Sequence, residues 1–352
     1  MTFILYSMAQ KLLLENGSPL IGSPIVYGVT ADSLDNLDTV TFHRVKLKVR
    51  AGLQGGNYRD IIMSSPVEDG ERIMIDISSA LRAVADDYEY TVEPPINYPY
   101  IAFSLEAWDE YMQNGEIHEN VGIVTNDGGR ALMGGYSDLD RILSGGSKTT
   151  KRFSRKPLSH PEIVAEGEDW VHPQDMECTI GNVVNGPSSV VHHIVVDDDN
   201  PVGVREIDGV NVYVSEKYNT DRYQFRFINS LGCMESIGVY SLVSSKMNIS
   251  KEEYSRSSVE MFGKFSRGFV SKQNDYETWN MVSGPLTQEW QQWFLHEFLM
   301  AQWVWVKINE TWIPCHIVPE DTIAGIDKTN QSLLSVAFSV RLDINGSPYL
   351  FV

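Results

Sequence analysis

"RYQFRFINSLGCMESIGVYSL", residues 222–242, decides how this chain is read. In its first half Tyr223, Phe225 and Phe227 share one face of an extended chain, and Gln224 and Arg226 share the other. Its second half alternates again, with Glu235, Ile237 and Val239 opposed to Met234, Ser236, Gly238 and Tyr240. Between the halves, Asn229, Ser230, Leu231 and Gly232 have the composition of a short hairpin loop. The stretch therefore predicts a β-hairpin whose aromatics pack a sheet while Asn229 and Gly232 shape the turn. Its residues serve structure, with no chemistry assigned to them.

The same texture extends outward in both directions. "TFHRVKLKVR" (41–50) puts His43, Val45, Leu47 and Val49 on one face and Arg44, Lys46, Lys48 and Arg50 on the other. "YIAFSLEAW" (100–108) alternates too, and Asn114-Gly115 supplies the positive φ angles of a tight hairpin. "RIMIDISSALRAVADD" (72–87) starts as a strand and offers Asp76 or Ser78 as the cap of a short helix. Toward the C-terminus, Thr287 can cap a helix over 287–302 in which Trp290, Trp293, Phe294 and Phe298 recur at helical spacing. Three strands then close the chain, and the helix is expected to lie on that final sheet.

Between 126 and 156 the periodicity is lost. Three Gly-Gly pairs precede Lys148, Lys151, Arg152, Arg155 and Lys156, so a long loop or inter-domain arm with a basic end is expected. The sequence-based fold is thus mainly β: an antiparallel β-sandwich domain over 1–125, the arm over 126–156, and a β-rich domain over 157–352 carrying the one long helix.

Composition narrows the function classes. A formal charge of −19 over 352 residues makes the general field repulsive to nucleic acid. The N-terminus lacks a basic start and a small-residue cleavage pattern, and no window of about 18 apolar residues occurs, so neither a secretory signal nor a membrane partner is expected. Cys178, Cys233 and Cys315 lack CxxC spacing and read as free, mostly buried thiols of a reducing compartment.

The motifs that invite chemistry each miss a required part. "LSGGSKTTK" (143–151) fails the phosphate-loop order because Ser147 separates Gly146 from Lys148. "HEFLM" has His296 and Glu297, but Met300 stands where a zinc helix needs its second histidine. His192, His193 and His316 form no ligand set, and Asp197, Asp198 and Asp199 lack calcium-loop spacing and read as a solvated turn. There is no GxSxG elbow. No enzyme activity, cofactor or metal is assigned. Six of the eight tryptophans fall between Trp279 and Trp312; buried they fill a helix-on-sheet core, exposed they would stack on sugars.

Several stretches together resemble a known group: "GSPIVYGVTADS", "HRVKLKV", "IMIDISSALRA", "ALMGG", "RYQFRFINSLGCMES", and the terminal "GPLTQEWQQWFLHEFLMAQWVWVKI" with "WIPCHIV". They are similar to virion structural proteins encoded by Bacteroidetes phages and prophages, specifically of the tail. Cys233 stands where that group usually has a second glycine, and Pro314-Cys315 replaces its commoner Pro-Val pair. The resemblance implies a non-enzymatic tail ring, adaptor or baseplate component, made in the bacterial host cytoplasm and residing in the virion. Its partners would be other tail proteins and copies of itself in a homo-oligomeric ring. The basic arm would then meet a neighbour's acidic surface. The alternatives are a carbohydrate-binding or adhesin-like module using exposed tryptophans, and a glycoside hydrolase.

Overall fold

The computed structural model describes residues 11–16, 20–34, 37–53, 56–85, 93–94, 99–136, 153–173, 178–179, 182–183, 189–216, 222–255, 268–318 and 335–342. The chain is mainly β, with several antiparallel sheets.

The N-terminal part contains β1 (Leu12–Asn16), β2 (Val26–Thr30), β3 (Val40–Leu53), β4 (Arg59–Pro66), β5 (Arg72–Asp76), helix α1 (Ser78–Ala85), β6 (Tyr100–Gln113) and β7 (Glu116–Leu132). These strands form a three-stranded sheet, β1-β2-β5, and a four-stranded sheet, β4-β3-β6-β7. Alternation explains their packing. Val45, Leu47 and Val49 of β3 and Ile101, Phe103 and Leu105 of β6 share one core with Tyr27, Val29 and Ile75 of the smaller sheet and Leu81 and Val84 of α1. Asn114 and Gly115 take φ of 52° and 82° at the β6–β7 turn, the left-handed pair that matches strand twist in a two-residue hairpin.

Residues 126–132, expected to open a loop, belong to a strand instead, because β7 continues to Leu132. The Gly128-Gly129 pair sits in a β-bulge opposite Phe103–Leu105, where Gly128 has φ of 68° and a Cβ would come 2.0 Å from the Phe103 carbonyl oxygen. Glycine here permits pairing rather than ending it.

The middle segment forms three small sheets among the described residues, two of which lie against the C-terminal strands and the third against β7. β8 (Glu162–Ala165) runs parallel to β14 (Val210–Ser215), which pairs with β13 (Gly203–Ile207). β9 (Asp169–Pro173) pairs with β12 (Ser189–His193), and β10 (Cys178–Thr179) with β11 (Asn182–Val183).

The C-terminal part differs from the expected sheet-plus-helix. β15 (Arg222–Ile228), β16 (Met234–Ser255), β17 (Gly268–Val282), β18 (Val304–Ile308), β19 (Thr311–Val318) and β20 (Ala337–Leu342) close into a barrel in the order β15-β16-β17-β20-β19-β18. Closure comes from β15 pairing with β18, Phe225 opposite Val306 and Phe227 opposite Val304. The expected long helix is short: α2 (Gln288–Trp293), capped by the Thr287 side chain, widens into a π-helical turn over Phe294–Phe298. Trp290, Trp293, Phe294 and Phe298 share a core with the inward residues Phe225, Phe227, Val239, Val304, Val306 and Phe338, and Tyr223 packs against it, so the helix plugs the barrel. Phe298 lies 5.3 Å from Phe225, 5.4 Å from Phe227 and 5.6 Å from Phe338 between ring centroids, the spacing of edge-to-face aromatic contacts.

The N-terminal part meets the barrel where three glycine-bearing segments cross. The Gly22 N–H donates to the Gly134 carbonyl at 2.7 Å, and the Gly135 N–H donates to the Ser230 carbonyl at 2.8 Å. A Cβ on Gly134 would come within 2.2 Å of the Leu231 carbonyl carbon, and Gly232 holds φ of 82° in the same turn. Around the crossing, Leu20, Leu132, Phe153, Val171, Leu231 and Trp305 are buried together. Gly134→Ala is expected to lower unfolding stability by about 3 kcal/mol in a urea titration, because backbone cannot move aside as a side-chain tip can.

Candidate functional site

The sequence points to the basic arm, the hairpin and the helix as places of interest, and the structure brings parts of all three together. Lys148, Lys151 and Arg152 lie outside the described residues, as does "LSGGSKTTK". Arg155 and Lys156 do not reach outward as an arm would. Lys156 is 1% exposed, and its Nζ donates to Glu162 Oε2 at 2.7 Å and to the Ser236 carbonyl at 2.8 Å. The indole faces of Trp170 and Trp293 flank it at 5.7 and 5.4 Å. Arg155 Nη1 lies 3.4 Å from Glu297 Oε1. The physical reason is charge: on an acidic chain these two cations find buried carboxylates of their own chain, and an unpaired buried carboxylate is costly.

Asn229 organises the turn from inside. Its Oδ1 accepts from the N–H groups of Leu231 and Cys233 at 3.0 and 2.9 Å, an Asx-type closure of the loop. Its Nδ2 donates to the Phe153 carbonyl at 2.7 Å and to Glu235 Oε1 at 3.0 Å. The hairpin is thereby stitched to the strap at 153–156. Glu297 of the π-helical turn accepts from Ser230 N and Ser230 Oγ, both at 2.9 Å. In "HEFLM" the helix turns Glu297 inward and leaves His296 exposed, so the two do not converge on one ion.

Glu235 is fully buried, and burial raises its pKa from 4.5 to about 7. Lys156, Ser154 and Asn229 pull it down, and the Glu297 charge pushes it further up. Sequence alone does not mark Glu162, Glu235 and Glu297 as partners: Glu297 lies 67 residues from Ser230, and the six-residue spacings of Glu162 from Lys156 and of Glu235 from Asn229 match no local pairing motif. The only local signal is an acidic residue on the face that otherwise carries Ile237 and Val239.

The other motifs resolve into structure. Asp197 and Asn200 exchange backbone hydrogen bonds at 3.1 Å in an exposed turn, and His192 and His193 each pair with a separate aspartate, Asp208 and Asp169. Cys233 and Cys315 are buried thiols outside any disulfide. Among the described residues, no group of three metal-ligating side chains is assembled. Trp290 and Trp293 are 6% and 4% exposed, which closes them to a sugar. A second buried cluster, without a signal in the sequence, joins Lys11 to Asp32 and Asp109, with His43 Nε2 2.9 Å from Asp109 Oδ1. It clasps β1 to β6, and burial holds the Asp32 carboxyl above its ordinary range.

What projects from this anchored body is a ribbon of two strands. β15 pairs with β16 only as far as Tyr240, and β20 pairs with β17 only from Thr278 to Val282. Beyond them β16 and β17 pair with each other alone, from Met247 opposite Glu277 to Ser255 opposite Gly268. That is about 30 Å of ladder at the usual rise of a strand. Both outer edges of this ladder lack strand partners among the described residues. A two-stranded ribbon is marginally stable in water, and its unpaired N–H and C=O rows are templates for another strand.

No protein-family model matches the chain, and no curated protein matches it.

The buried acid gives the anchor a pH signature. Folded Glu235 keeps its proton up to about pH 7, whereas the unfolded chain releases it near 4.5, so its contribution is full below 4.5 and is lost as pH rises through 7. The loss is about 3 kcal/mol for this group. Glu235→Gln, which can still accept from Asn229, is expected to remove that fall between pH 5 and 8 in urea midpoints and to be the more stable protein at pH 8.

Proposed function

We propose that the chain is a non-enzymatic virion structural protein, a ring, adaptor or baseplate component of a phage tail that assembles through strand edges. The observation that carries this reading is the β16–β17 ribbon, which leaves the barrel with both edges unpaired among the described residues. Adding a strand to such an edge supplies main-chain hydrogen bonds at once, and a head-to-tail contact of this kind closes into a ring when its rotation allows. The ribbon sequences, "SSKMNISKEEYS" (244–255) and "GFVSKQNDYET" (268–278), are largely polar and charged, as suits a reversible, selective partner surface.

In this reading the two N-terminal sheets form a β-sandwich that faces neighbouring tail proteins, and the plugged barrel is the rigid base from which the ribbon reaches the next copy. The buried strap at Arg155 and Lys156 then stiffens the base, and partner contact falls to the ribbon. The motif resemblance to tail proteins supports the same placement in a virion, after synthesis in the host cytoplasm. No helix is long and apolar enough to cross a membrane among the described residues.

Light scattering tests this. The purified chain is expected to show a closed oligomer, a small multiple of 39.7 kDa, at low salt and a smaller species at high salt. A variant in which a two-residue Asn-Gly turn replaces residues 247–277 is expected to stay monomeric with an intact barrel. A monomer at every concentration and salt, or unchanged assembly by the shortened variant, would remove the reading.

A further inference from the structure

The outer face of the four-stranded sheet carries a cation–carboxylate ladder that stops short. Along β3, Arg44 and Lys46 pair with Glu110 of β6, and Lys48 pairs with Glu106. The next cation, Arg50, faces Ser104 across the strands, and its nearest carboxylate is Asp60 at 4.0 Å. One strand further, Arg130 of β7 faces Ala102, and no carboxylate of the described residues lies within ion-pair distance of it. The two guanidiniums therefore border a stretch of sheet where the facing β6 positions, Ser104 and Ala102, carry no acid.

Small residues leave that stretch open. Ala102 and Ser104 of β6 and the Gly128-Gly129 bulge of β7 line a groove of about 520 Å³. Its walls are Arg50, Tyr58, Asp127 and Arg130. The volume lies within the range of about 300–1,000 Å³ usual for small-ligand sites. Arg50 stands over the Tyr58 ring at 5.8 Å and Arg130 over the Tyr100 ring at 4.9 Å, so each fork is held by an aromatic face while its N–H groups stay free to bond. Both arginines are exposed, as is Tyr58 at 51%.

The geometry points to a binding site for an anionic saccharide, with Arg50 and Arg130 taking its carboxylate or other acidic group. Planar guanidinium forks match a carboxylate in two parallel hydrogen bonds. Asp127 repels a bare anion but accepts from sugar hydroxyls, and the Ser104 hydroxyl can donate or accept. The lining thus suits a ligand with one acidic group and several hydroxyls. The exposed Tyr58 ring offers an apolar face to a pyranose ring. This inference does not depend on the assembly reading, since the groove lies on the N-terminal sheet and the ribbon on the barrel.

Calorimetric titration of the full chain at low salt, with a trigalacturonate, a neutral trisaccharide and inorganic phosphate as the three probes, tests it. The trigalacturonate is expected to bind, with phosphate at least roughly tenfold weaker and the neutral sugar undetected. Arg50→Gln with Arg130→Gln is expected to weaken binding by about a hundredfold, since each charge-assisted contact accounts for about a tenfold change. Tyr58→Ala is expected to weaken it several-fold. Both arginines are exposed, so an unchanged thermal transition will show that the double variant still folds. No trigalacturonate binding by the wild-type chain, equal binding of the neutral sugar, or an unaffected double variant would each overturn the site. Phosphate as tight as trigalacturonate would overturn the saccharide assignment.

Discussion

The backbone crossing of Gly22, Gly134 and Gly232 is the constraint on which the rest of the structure depends. Three segments far apart in sequence approach to hydrogen-bonding distance there, with no room for a Cβ on Gly134. The crossing fixes the β15–β16 turn against the N-terminal part, and with it the start of the barrel. Aromatic and aliphatic side chains then seal the surroundings, so the close approach is also a desolvated one. Polar atoms in that place need partners: Asn229 donates to Glu235, Glu297 accepts from Ser230, and Lys156 donates to Glu162. The strap at 153–156 is therefore a consequence of the crossing: a cation drawn in to balance carboxylates that the turn has buried.

How much of this is legible in the sequence depends on range. Asn114-Gly115 and Thr287 act within a few residues of themselves, and their turn and cap follow from local sequence. The alternation of residues 222–242 likewise marks a hairpin, because strand period is a local property. Barrel closure is not local: β15 meets β18 across some 80 residues of sequence, and nothing in "RYQFRF" distinguishes an open edge from a closed one. The glycine pair at 128–129 reads as loop because glycine weakens a strand in general, whereas here it makes the bulge that lets β7 keep its pairing with β6. Arg155 and Lys156 read as exposed because cations usually are, and only the fold reveals that Glu297 and Glu162 wait for them.

The same logic of matched and unmatched groups separates the molecule's interior from the two surfaces proposed above to bind partners. Inside, carboxylates and cations come in contact, as at Lys11 with Asp32 and Asp109. On the sheet face the ladder of pairs ends before Arg50 and Arg130, and along the ribbon the strand edges end without neighbours among the described residues. A rigid, plugged barrel is a suitable base for such a ribbon, since an interlocked aromatic core transmits load instead of yielding to it.

The central claim is that the ribbon is an assembly edge, and amide hydrogen exchange followed residue by residue across a concentration series tests it most directly. In the dilute chain, amides of 247–255 and 268–277 that point away from the ladder should exchange rapidly, while those of the barrel stay protected. On concentration to the assembled state, the outward amides along one edge should become protected in alternation, the pattern of an added strand. Assembly that leaves those amides exchanging as fast as before would contradict the claim.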